Sequence, residues 1–162
     1  MSVPGSIEIA EVSFKQNSDI LNKSVEGLTD DEWVRRPNGS ANNMLWVVGH
    51  CTWARSNLLK RLGDDWSKPW MKAFGRGAKA DETTVMPTPE EAKEAWHESS
   101  KRLKAAMESV SEEALSAAAT NGPPSHDGKV SGVVNFLAYH ETYHVGQAAY
   151  LRCWLGHSGV MG

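Results

Sequence analysis

Val133, Leu137, His140, His144, Ala148, Leu151 and Leu155 follow one another at intervals of three or four residues. That spacing keeps all seven on one face of an α-helix, whereas a strand would need alternation every second residue. Two positions on the face are histidine, and they bound the string His140-Glu141-Thr142-Tyr143-His144. Side chains four apart lie one above the other, so the two imidazoles can converge on a single metal ion. The alternative is a pair of ordinary core histidines. Each buried ring then needs partners for two nitrogens, and two adjacent rings without a shared ion would demand several separate hydrogen bonds. The stacking of both rings on the inward face favours the ion.

Two ligands need a third. In zinc proteases with H-E-x-x-H the third ligand follows downstream, as a Glu or as the His of H-E-x-x-H-x-x-G-x-x-H. Here Gly146 stands two residues after His144, not three, no acid follows Glu141, and His157 lies in a Gly-rich tail. The search turns upstream. His97 shares the charged side of its helix and is set aside, and His126 lies in the turn-rich string 121–128. His50 sits between Trp46 and Trp53 on an apolar face, where a lone histidine is more often a core residue than a ligand. Beside an incomplete ligand pair it becomes a candidate.

Four helical stretches account for most of the chain. The first is expected over 7–28 behind a Ser6 cap, with Ile9, Val12, Phe14, Ile20, Val25 and Leu28 in its apolar set. Thr29-Asp30-Asp31-Glu32 reads as a capping box that opens a short turn docking Trp33. The second helix is expected over 43–62, the third from Thr88-Pro89-Glu90-Glu91 to Val110 with a further turn behind Ser111 carrying Leu115, and the fourth from a Ser131 cap to Gly156. Between the second and third lies a long connection, 64–87, holding Trp66, Trp70, Met71 and Phe74. Residues this large do not stay in water, so the segment plugs the core, lines a pocket, or does both. No stretch shows sustained strand alternation, and 162 residues suit one domain, 1–162, built as an all-α four-helix bundle.

A net charge of −3 and pI near 6.1 leave no basic footprint for nucleic acid or a membrane surface. No apolar run approaches the roughly 20 residues of a membrane span and no signal pattern opens the chain, so a cytoplasmic protein with a small-molecule substrate is expected. The two cysteines, Cys51 and Cys153, fall inside helical apolar patterns and are expected as packed, reduced thiols.

Trp46-Val47-Val48-Gly49-His50, followed some ninety residues later by His140-Glu141-Thr142-Tyr143-His144-Val145-Gly146-Gln147, resembles the DinB-like (YfiT-like) metal-binding helical bundles. The resemblance runs through almost the whole chain in order and spacing. It implies a four-helix bundle with long cross-connections, a divalent metal held by His50, His140 and His144, and frequent homodimers. Members of that group include transferases and isomerases that use low-molecular-weight thiols.

Three neutral imidazoles with an open coordination position suit Zn²⁺ or Ni²⁺. Such a centre could ionise a bound water for hydrolysis, or a thiol for attack on an electrophile. Glu141 is the candidate general base, although its neighbour position to His140 turns it about 100° around the helix, and a structural pairing is the alternative. Gln147 could fix a ring orientation, and Tyr143 could do so or pack in the core. Two classes of function therefore stand: a metal-dependent thiol S-transferase or hydrolase, and a non-catalytic metal-binding or dimeric scaffold in which the ion ties two helices together.

Overall fold

The computed structural model describes residues 3–39, 41–78 and 85–161. The α-helices among them are α1 (Glu8–Val25), α2 (Asp30–Val34), α3 (Met44–Arg61), α4 (Pro89–Ser109), α5 (Glu112–Ser116) and α6 (Val130–Trp154), with 3-10 turns at Gly5–Ile7 and Pro69–Phe74. No strand occurs among the described residues.

Most helix starts are where side chains satisfy the free N–H groups of the first turn. Thr29 and Glu32 form a reciprocal capping box on α2, and Thr88 and Glu91 form another on α4 with Pro89 at its first position. Asn43 accepts from Trp46 N–H at 2.8 Å, and Ser111 from Ala114 N–H at 3.1 Å.

Two expected caps are elsewhere. Ser6 lies in the 3-10 turn, and its hydroxyl donates to Glu112 instead. Ser131 is already inside α6 and donates to Asp127, whose other oxygen accepts from Lys129 N–H at 2.9 Å. Ile9 and Val12 also depart from expectation, being 77% and 43% exposed. The inward face of α1 is Ala10, Phe14, Asn17, Leu21 and Ser24, and its two polar members disguise the phase of the stripe.

The long helices form a ring in which α1 packs on α6, α6 on α3, α3 on α4 and α4 on α1. Their directions follow from cross-links. Ser6 with Asn135, Asn17 with Thr142 and Ser24 with Arg152 rise together, so α1 and α6 are parallel. Leu58 and Leu59 share a cluster with Leu103 and Met107, while Val47 and Val48 share another with Ala92 and Trp96, so α3 and α4 are parallel to each other as well. Phe14 belongs with the first set and Leu21 with the second, which makes the two pairs opposite. Parallel neighbours need a connection that returns the length of a helix, about 27 Å for 18 residues. That is why 62–88 is long. Its 3-10 turn buries Met71 and Phe74, and Trp66 and Trp70 are partly buried against the core; 79–84 lie outside the described residues.

Between the two apolar clusters lies a polar layer to which all four long helices contribute. Arg55 of α3 donates to both carboxylate oxygens of Glu141 on α6, to Ser18 Oγ and the Phe14 carbonyl on α1, and to Ser100 Oγ on α4. Its guanidinium lies 3.8 Å from the centroid of the Trp96 ring.

Candidate metal centre

His50 is held by the helix that bears it and by the return segment. Gly49, one residue earlier, has no side chain, and the Phe74 ring fills the place where a Cβ would stand. This close approach brings the Phe74 carbonyl to 2.7 Å from His50 Nδ1. The carbonyl accepts, so the proton is on Nδ1 and the lone pair on Nε2. Trp46 stacks on the ring at 4.6 Å and Trp53 leans on it at 5.4 Å. His50 Nε2 is buried and has no hydrogen-bond partner among the described residues.

His144 is oriented in the same manner by Gln147, whose Oε1 lies 3.1 Å from Nδ1. Its Nε2 then faces His140 Nε2 at 3.2 Å. One potential ligand atom from each of His50, His140 and His144 fits within a mutual distance of 4.8 Å. Two nitrogens about 2.0–2.1 Å from a tetrahedral Zn²⁺ would be about 3.4 Å apart, close to the observed pair. Buried polar atoms in folded proteins are nearly always paired, so an orphaned Nε2 aimed into an imidazole cluster fits a cation better than it fits a plain core.

The electrostatics agree with ligation. Burial is the largest cause in each ring: it pushes His50 down to about 4, with Phe74 opposing and the other two histidines adding. Burial lowers His140, helped by His144 and Arg76, and it lowers His144 against the opposing pull of Gln147 and Glu141. All three are neutral at pH 7, as imidazole ligands must be. Phe136 stacks on His140 and Tyr143 meets His144 edge-on, completing an aromatic shell.

The chain belongs to the DinB superfamily. The family model matches residues 13–148, which take in all three histidines and most of the bundle. No curated protein matched the chain. The three-histidine arrangement implied for a DinB-like bundle is thus reproduced as proximity of His50, His140 and His144 between α3 and α6.

The remaining histidines stand apart from this DinB-type cluster. His97 and His126 are exposed, and His157 pairs with Glu32 at 3.0 Å. Tyr143 is 61% exposed and Cys153 is exposed, so neither packs in the core, whereas Cys51 is buried. Glu141 is buried with both oxygens committed to Arg55. Not anticipated from the sequence are Arg55, Phe74 as a backbone acceptor, and Asn42, which bonds Gln147 at 3.5 Å. For Arg55 a signal existed: it sits among Cys51, Leu58 and Leu59 on the apolar side of α3, and the only acid on α6 is Glu141.

Proposed function

We propose that His50, His140 and His144 hold a divalent metal ion and that the protein is a metal-dependent enzyme acting on a small molecule, with a low-molecular-weight thiol as co-substrate. The buried, unpartnered Nε2 of His50, facing two further imidazoles, carries this reading. A divalent ion at three neutral imidazoles would supply an ionised thiol or water at neutral pH. His50 and His144 hold their lone pairs toward the cluster because Phe74 and Gln147 fix the opposite ring nitrogens. His140 is only partly buried, so the cluster is not wholly sealed from solvent, as a site with a coordination position free for a substrate requires.

Thiol transfer is favoured over hydrolysis by the state of Glu141. A carboxylate bonded twice to a buried guanidinium is not poised to take a proton from water, whereas a thiol, already the stronger acid, needs less help. The scaffold alternative needs a closed four-ligand site, and among the described residues three ligands come together.

Elemental analysis of protein purified without a metal-affinity tag tests the reading, with His50→Ala and His140→Ala beside the wild type. About one equivalent in wild type and little in either variant is expected. Wild-type protein that takes up neither Zn²⁺ nor Ni²⁺ would overturn it. Loaded protein is then assayed for S-transfer with low-molecular-weight thiols and for ester and amide hydrolysis.

A further inference from the structure

A groove of about 690 Å³ runs along the outer side of α6 beside the loop that leads from α2 to α3. Tyr143 and Tyr150 line it, two helical turns and about 10 Å apart, and 61% and 66% exposed. Gly146 forms the floor between them. At Gly49 a Cβ would strike Phe74, and at Gly132 it would strike Asp127 and Ser125, so packing excludes a side chain at both. At Gly146 a Cβ would meet nothing within 4 Å. Alanine there would strengthen the helix and disturb no neighbour. The chain forgoes that gain, and the space it keeps open is the groove.

The lining states what the groove can hold. Asn38, Asn42 and Gln147 present amide donors and acceptors, and apart from the two phenols none of the described lining residues is ionisable. Aromatic faces stack on flat rings and amides bond a polar edge, while the nearby Arg36 guanidinium is spent on the Ala41 carbonyl at 2.6 Å, so no lining side chain offers a counter-charge. Gln147 Oε1 accepts from Asn42 in the groove wall and from His144 in the imidazole cluster, so the two sites share a side chain.

We propose that this groove binds the ring of an uncharged small molecule, stacked between Tyr143 and Tyr150 over Gly146 with its polar edge on Asn42 and Gln147. Its adjacency to His144 makes it the anchor for the unreactive part of a substrate. That last step rests on the metal reading above; ring binding does not. A second copy of the chain seated on the same face is the competing occupant.

The test is a two-dimensional NMR titration of the full chain, metal-free and zinc-loaded, with adenosine and phenyl β-glucoside as uncharged rings and AMP and benzoate as charged counterparts. At least one uncharged ring is expected to shift the Gly146 amide and the Gln147 side-chain amide, with its charged counterpart at least about tenfold weaker. Gly146→Leu should weaken the uncharged ring at least about tenfold. Gly146→Ala should raise Tm by about 2–4 °C, as filling a helical glycine without a clash does. No shift from any uncharged ring, or equal binding by Gly146→Leu, overturns the proposal. A dimer in light scattering that Gly146→Leu abolishes, without ring binding, overturns it in favour of the second copy. Ring binding by protein that takes up no zinc upholds the groove and sinks only the metal reading.

Discussion

Arg55 and Glu141 form a two-pronged ion pair, Nε to Oε2 at 2.6 Å and Nη2 to Oε1 at 2.8 Å, with both side chains almost wholly excluded from water. The pair joins α3 to α6, the same two helices that carry the three histidines. Removing either partner leaves a buried charge without compensation. Arg55→Met or Glu141→Gln should each lose about 3–5 kcal/mol, and the double variant Arg55→Met/Glu141→Leu should recover most of it. Urea unfolding measures this. A Glu141→Gln protein of unchanged stability that has lost activity would instead make Glu141 a base.

Gly49→Ala places a methyl group against the Phe74 ring. Overpacking of this kind costs about 1–3 kcal/mol. Because the Phe74 carbonyl fixes His50, the same change should weaken zinc binding, whereas Phe74→Leu should ease the clash in a Gly49→Ala background. Competition of the three proteins with a zinc-sensitive dye orders their affinities.

Gln147→Ala leaves His144 without its Nδ1 partner. Metal affinity should fall by about 10–100-fold with little change in Tm, the pattern of an orienting residue. A fall in Tm matching that of a core truncation would show packing to be its main role.

The metal-free protein should lose stability on acidification below pH 6.5. Burial holds His50 down to about 4 from an ordinary 6.5, so in that window the unfolded chain binds a proton that the folded protein refuses. The contribution is fully present above 6.5 and is lost as pH falls toward 4, and the lowered His140 and His144 act in the same direction. Urea midpoints of chelator-treated protein at pH 7 and pH 5 should differ accordingly, and His50→Gln should reduce the difference.

Cys153 is exposed and Cys51 is buried, with burial raising the Cys51 thiol well above its ordinary value. A chromogenic disulfide reagent should therefore titrate one thiol in native protein and two in urea.

The sequence by itself determined the helices and one side of the site. Periodicity and capping strings are local, so Thr29–Glu32, Thr88–Glu91, the span of α6 and the convergence of His140 with His144 could all be read from neighbours along the chain. Phase was less legible where polar residues face inward: Asn17 and Ser24 on α1 are buried because Asn17 bonds Thr142 across the seam with α6 and Ser24 bonds back to the Ile20 carbonyl. Tertiary structure alone decided that α3 runs parallel to α4, and hence that the return segment crosses the bundle and sets Phe74 on Gly49. The resemblance had already grouped His50 with the other two rings; tertiary structure decided that the Phe74 carbonyl orients it, and that Glu141 turns to Arg55. Those are contacts between residues tens of positions apart, and their geometry is fixed by how whole helices pack, which no local spacing encodes.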